Sequence, residues 1–308
     1  MGTGTAADTL GAVTVIATVV GAFLVVVALR DVFDTLLHPH GRGVVSQGLI
    51  RGVWRTMRMA VRGNHAGLSL AGPLAFISVI AVWGALVVVG FALILWPHFP
   101  EGFAGAGIGV EDRDGLGNAV YLSMVNLTSL GYGDIVATGD LLRYLGPLET
   151  LIGLGLLTAS ISWILFLYRV LSDYRSLSHE ISVLLDAERR SGTELAEIEP
   201  AVAARVLADL TSRVIAMRDD LVHSPIAYYF HPRDARHALP VLLPRLIEVV
   251  DECSGEERAR ALRFQAAMLR QSLDDLLETI ADDFVDVPAG DAAEALAAYR
   301  RDHLWVTG

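Results

Sequence analysis

The chain has 308 residues, 53% of them hydrophobic, and a net charge of −11 at pH 7. The acidic balance offers no basic footprint for a nucleic acid, so no such partner is expected. A single cysteine, Cys253, excludes an intrachain disulfide. The apolar residues concentrate before residue 171 and the remainder is mixed and acidic, which divides the chain into a membrane half and a soluble half. All 24 basic residues are arginine, a compositional bias with no chemistry attached.

Leu10–Leu29 is uninterrupted and apolar. About twenty such residues cross the hydrocarbon as a helix. The run is too long for a signal-peptide core and lacks a basic flank before it, so residues 1–30 are expected as a retained span. Residues 31–69 follow as a basic segment. Asp31, Asp34 and His38 fall at spacings of three and four, on one helical face, with His40 nearby. They read as charges that anchor the span or bond the next helix, or alternatively as a divalent-cation or proton sensor. Arg51, Arg55, Arg58 and Arg62 form another helical face, while Leu49, Ile50, Val53, Trp54, Met57 and Val61 cover much of the rest. That pattern suits an amphipathic helix at anionic lipid headgroups, or an ordinary solvated helix.

A second span lies in Leu70–Trp96, which has no charge, and a third near Leu145–Leu167, where only Glu149 is charged. Residues 30–69 hold six arginines and two acids; residues 98–143 hold two arginines and six acids. The positive-inside rule places the first loop in the cytoplasm and the N-terminus outside. The chain after Leu171 is then cytoplasmic, and the cell membrane is the expected location. Between the second and third spans, Tyr121, Val125 and Thr128 recur at helical spacing in Gly117–Ser129, a segment too short to span. It reads as a half-helix that enters and stops.

The half-helix leads into TSLGYGD, residues 128–134. Irregular backbone at membrane depth is tolerated only where protein buries it or where it lines a water-filled pathway. Gly131 and Gly133 can take positive φ. Alternating backbone hands turn successive carbonyls toward one side, and such a row can replace the water shell of a weakly hydrated cation. Thr128-Ser129-Leu130-Gly131-Tyr132-Gly133-Asp134 resembles the potassium-channel signature, whose filter is built from backbone carbonyls. The resemblance covers roughly Asn118–Tyr168. It implies K+ as the conducted ion, bound at Ser129, Leu130, Gly131 and Tyr132 within a filter of Thr128 to Gly133, and it implies a homotetramer. Ser129 stands where the family usually has threonine, and Leu130 where it has valine or isoleucine. Asp134 matches the outer acid and Tyr121 occupies the place of its aromatic partner. Asn126 and Thr128 are expected to support the filter from behind. Some relatives place a glutamate behind the filter where this chain has Val125; Glu149 could supply that acid from the third span, or could cap the helix end near water. Gly153 and Gly155 are candidates for a gating bend or for close helix packing. Leu157, Ile161 and Leu165 could line an apolar gate or pack on another helix.

Residues 171–308 carry 25 acids and 15 arginines. Helical signals cover Ser172–Arg190, Glu199–Leu221 (Val202, Val206, Leu210 and Val214 on one face), Leu239–Glu252, Glu256–Phe284 and Asp291–His303. No GxGxxG and no strand-rich nucleotide barrel is visible. His223, His231 and His237, near Tyr228 and Tyr229, read as a packed connector, or as a ligand, proton or metal site. The expected fold is an all-α membrane protein: three transmembrane helices with a re-entrant pore helix and filter in a pore domain at 70–170, then a helical cytoplasmic domain at 171–308. The expected function is passive, potassium-selective conduction. A weakly selective cation channel and a non-conducting membrane scaffold are the alternatives. No nucleophile–base pair, metal-ligand run or phosphate loop suggests an enzyme, and no organic cofactor is expected. The cytoplasmic half could take an unknown ligand or partner.

Overall fold

The computed structural model describes residues 3–36, 43–61, 65–105, 115–232, 234, 236, 238–285, 287 and 291–303. Its helices are α1 (Thr3–Leu36), α2 (Val44–Val61), α3 (His65–Leu68), α4 (Ala71–Leu95), α5 (Gly115–Leu127), α6 (Leu142–Ser191), α7 (Pro200–His223), α8 (Leu239–Cys253), α9 (Arg260–Asp283) and α10 (Ala292–Asp302). Among the described residues, three helical stretches are long and apolar enough to cross a membrane: Gly11–Leu36, His65–His98 and Leu142–Ser191. The protein is an all-α membrane protein. α6 has 50 residues, about 75 Å at 1.5 Å per residue, far more than a bilayer's ~30 Å of hydrocarbon. The third span and the helix expected at Ser172–Arg190 are therefore one continuous rod.

The chain divides into two compact units. The first combines Met1–Leu49 with Ile77–Ile164. There α1 crosses α4 at paired glycines. A Cβ on Gly21 would lie 2.4 Å from the carbonyl oxygen of Gly90, and one on Gly90 would lie 2.7 Å from that of Gly21. Small residues let helix backbones approach where lipid provides no hydrophobic drive. Below that crossing Val25, Ala28, Val87 and Phe91 form a cluster, against which Leu127, Leu145, Ile152 and Leu156 pack. So α5 and α6 are held on the same core as α1 and α4.

Asp31 fixes the entry to α2. Its carboxylate accepts the backbone N–H groups of Val45 (2.9 Å) and Ser46 (3.1 Å), and the Trp83 indole at 2.8 Å. The first N–H groups of a helix have no intrahelical partner, and an acid there satisfies them. Asp31 thus bonds the next helix, one of the two sequence expectations. Asp34 instead faces Arg30 at 3.5 Å. His38 and His40 lie outside the described residues.

One feature is unexpected from the sequence, a small antiparallel sheet of β1 (Phe103–Gly105) and β2 (Ile135–Ala137), with Phe103 opposite Ala137. Phe103 and Ile135 join Ala92, Leu95, Ala119 and Leu122 in a buried cluster. The sheet ties the chain just after TSLGYGD to the chain just after α4.

The second unit combines Ile50–Phe76 with Leu165–Gly308. Its centre is α9, which packs on α7, α8 and α10. Leu262, Ala266, Leu269, Leu273, Leu276 and Ile280 of α9 are buried, as are Ala203, Leu207, Leu210, Val214, Met217 and Leu221 of α7. The expected α7 face is corrected in part: Val202 is 50% exposed and Val206 half-buried. A strict four-residue spacing drifts around a 3.6-residue helix, whereas the 203-207-210-214-217-221 series stays on one stripe. On α2, Ile50 and Trp54 are buried and Arg51 and Arg55 exposed. Trp54 lies edge-on to Tyr229 at 5.5 Å and donates its indole N–H to Asp302 at 3.0 Å, while Arg58 pairs with the same carboxylate. Ile50 and Trp54 of the α2 apolar stripe are therefore buried against protein, while Val53, Met57 and Val61 are half-buried.

Candidate functional site

The short helix α5 delivers the chain to residues 128–134. Its 13 residues reach only about 20 Å, less than a bilayer's hydrocarbon. Ala119, Leu122, Ser123 and Val125 of this helix are buried. At its end Leu130 N–H bonds Val125 O and Ser129 N–H bonds Asn126 O, which closes the helix in a tight turn. The Thr128 hydroxyl donates to Met124 O at 2.7 Å. It is thereby committed to the helix end.

Beyond the turn the backbone alternates. Ser129 has φ 59°, Gly131 59° and Gly133 75°. Among the described non-glycine residues Ser129 alone has positive φ, so Leu130 and Tyr132 keep the ordinary sign. The sequence pointed to the glycines; it did not reveal that Ser129 shares their hand. A serine in the left-handed region costs about 1 kcal/mol or more, and such outliers persist where the surroundings over-determine them. A backbone that alternates in this way turns consecutive carbonyls to one side. Leu130 is 53% and Tyr132 68% exposed, so their side chains stand clear of this chain's own core.

Both flanks of the strip are braced. On one side Tyr121 of α5 donates its phenolic O–H to Asp134 at 2.7 Å, and Asp134 also accepts the N–H of Ile135 at 3.1 Å. That acid is tied to α5 and to the start of β2. On the other side, Glu149 of α6 is fully buried. It meets the Ser123 hydroxyl and accepts the Asn126 amide at 3.2 Å. Ser123 also contacts Val88 O of α4 at 3.0 Å, and Thr150 donates to Asn126 O at 2.9 Å. Glu149 thus joins α6 to the back of α5, one of its two expected places. It does not cap a helix end near water. Val125, at the position where some relatives carry an acid, is buried and apolar.

Gly153 and Gly155 separate clearly. A Cβ at Gly153 would sit 2.0 Å from Leu127 O, whereas one at Gly155 would meet nothing within 4 Å. Gly153 serves close packing of α6 on the end of α5. Leu157, Ile161 and Leu165 are 59%, 51% and 68% exposed, on a face of α6 that this chain leaves uncovered.

The chain after α7 is a packed connector, one of the readings its sequence allowed, with Ile226, Ala227, Tyr228 and Tyr229 buried, and it keeps His223 and His231 apart. His223 is exposed and contacts Asp219 O of its own helix at 2.7 Å. His231 is buried elsewhere, 3.0 Å from His65 and 3.3 Å from His303. His237 lies outside the described residues. His65 and His303 were missed because nothing in the local sequence links them. Arg62, the last of the expected headgroup arginines, also lies outside the described residues. Cys253 is fully buried, and burial pushes its thiol up to about 11, so it stays protonated and inert.

Residues 77–167 match the family model described as ion channel, Ion_trans_2. The match takes in most of α4, all of α5, the alternating strip and the first half of α6. The chain is also 25% identical over 225 residues to the uncharacterized membrane protein YdjJ of Bacillus subtilis (strain 168), an alignment covering 69% of this chain and 62% of that protein. The chain thus spans about three-fifths of the length of the curated relative it matches. No solved structure matches it. The segment 77–167, which holds α5 between α4 and the first half of α6, is therefore similar to that ion-channel family model.

Proposed function

We propose that four copies of this chain form a potassium-selective channel that conducts passively through the strip Thr128–Gly133. The observation that carries the proposal is the alternation of positive φ at Ser129, Gly131 and Gly133 within an ion-channel-type domain. In this reading the carbonyls of Ser129, Leu130, Gly131 and Tyr132 face a common axis and replace the hydration shell of K+. One strip offers oxygens from one side only, so closed fourfold symmetry supplies the rest. The exposed side chains of Leu130 and Tyr132 then pack between subunits. The C-terminal ends of four α5 helices direct partial negative charge at the entering cation. Asp134 with Tyr121, and Glu149 with Ser123 and Asn126, hold the strip from outside and behind. The leucine and isoleucine face at Leu157, Ile161 and Leu165 lines the inner mouth, where an apolar ring gates by dewetting.

The charge pattern of the loops favours a cell-membrane protein with α2 and the C-terminal bundle in the cytoplasm. Arg51 and Arg55, exposed on α2, then meet anionic headgroups, while Arg58 is held by Asp302. The account is one of passive conduction, with no catalytic step.

Flux into liposomes tests the proposal. Reconstituted protein should take up potassium in a barium-sensitive manner, and sodium should not substitute. Equal sodium and potassium uptake would favour a weakly selective cation channel, to which the departures at Ser129 and Leu130 lend some support. A folded tetramer without flux would favour a scaffold.

A further inference from the structure

Three histidines from distant parts of the chain form a column in the second unit. His65 opens α3, immediately ahead of α4. His231 ends the connector that follows the Pro225–Tyr229 turn, and His303 closes α10. His65 Nδ1 lies 3.0 Å from His231 Nε2, with the rings 10° from parallel. His231 Nδ1 lies 3.3 Å from His303 Nδ1. His231 is 5% and His303 1% exposed. The same connector meets the first turn of α4, where a Cβ on Gly72 would come within 2.6 Å of the Phe230 ring. These contacts tie the linker before α4 to the C-terminal bundle.

We infer that the His65–His231–His303 column is a proton-binding latch between that linker and the bundle, closed while it carries at most one excess proton and opened when a second one binds. A neutral imidazole has one N–H donor and one bare nitrogen acceptor. Neutral rings can therefore pass hydrogen bonds in one direction along both N···N contacts. An excess proton on His231 leaves both contacts intact, because His231 then donates to each neighbour. A further proton on His65 or His303 sets N–H against N–H and breaks a contact. Among the described residues, His303 Nε2 is buried with no hydrogen-bond partner, so a proton placed there gains no compensating acceptor from them.

The groups that face His303 include Trp54 and Arg58 from α2, Tyr228 from the connector and Tyr299 from α10, and Asp302 precedes it in the chain. Asp302 is already engaged by Arg58, Trp54 and Tyr228. Burial and the neighbouring His65 pull His231 down to about 4. Burial, His231 and Arg58 hold His303 well below the ordinary histidine range. Once the latch opens, both rings return toward about 6.5. The open state therefore binds more protons, and the latch is fully closed above that value. Below it, the ratio of closed to open falls by about tenfold per pH unit for each of the two histidines.

This inference does not rest on the pore reading, and its test does not use ion flux. In full-length protein held in nanodiscs, ring nitrogen resonances of the nine histidines are followed by NMR from pH 8 to 4. Two rings that stay neutral at pH 5.5, and are lost from the spectrum of His231→Gln/His303→Gln, support the latch. All rings titrating near 6.5 would overturn it. Thermal unfolding supplies a second measurement: between pH 7 and 5 the Tm of the native sequence should fall more steeply than that of the double variant. Parallel slopes would also overturn the inference, because a merely structural column loses stability without changing the pH slope. Should the double variant fail to fold, the ring titration of the native sequence decides.

Discussion

At the scale of single residues, the filter account depends on backbone hand. A Cβ at Gly131 or Gly133 would meet nothing within 4 Å, yet both have positive φ. Gly131→Ala and Gly133→Ala should thus fold with little steric cost, at about 1 kcal/mol of strain apiece, while rotating a carbonyl out of line. We expect at least tenfold lower flux from folded tetramers whose Tm falls by no more than that strain; undiminished flux would remove the backbone as the conducting surface. Glu149 offers a different contrast. Glutamine can present an acceptor to Asn126 and a donor to Ser123, whose hydroxyl then turns to Val88 O. Leucine leaves the half-buried Asn126 amide without its acceptor, a loss of about 1 kcal/mol. Glu149→Gln should therefore conduct, whereas Glu149→Leu should lower both Tm and the lifetime of the conducting state, measured in lipid bilayers. The glycines and Asp134 were readable in the sequence because their chemistry is local. The hand of Ser129 was not, since a serine has no backbone preference that announces the left-handed region.

At the scale of elements, α6 carries the most consequence. Its Gly153 abuts Leu127 O and its Gly155 faces open space, so the two glycines should behave oppositely. Gly153→Ala must push α6 from the end of α5, and should cost more than 1 kcal/mol of stability along with flux. Gly155→Ala should be neutral or slightly stabilising for the helix. A bend confined to Gly155 would instead show as altered gating in Gly155→Ala with unchanged Tm. The three apolar runs were legible as spans, because about twenty uncharged residues admit few other structures. The unbroken length of α6 was legible only in pieces, since its sequence changes from apolar to mixed near residue 171 without a breaker. The β1–β2 pair was not legible at all. Three residues per strand are too few for an alternating pattern, and the partners are joined by register across α5. On α2 the amphipathic pattern was clear, but what covered it was not: Trp54 is claimed by Asp302, 248 residues away. Trp54→Phe should keep the packing and lose that hydrogen bond, lowering Tm by an amount corresponding to about 1 kcal/mol.

At the scale of the whole molecule, sequence and structure agree on an all-α chain whose residues 77–167 match an ion-channel family model and whose later residues form a helical bundle. The bundle's helices were readable from their periodicity. Its histidine column was not, because partners 166 and 72 residues apart leave no mark on one another's neighbours. The central claim is that the strip Thr128–Gly133 selects potassium. It is tested most directly by the reversal potential of purified protein in a planar bilayer, with a tenfold potassium gradient balanced by sodium. The account predicts reversal near the potassium limit, about 59 mV for a tenfold gradient of a monovalent ion. Reversal near 0 mV in a barium-sensitive current would contradict it.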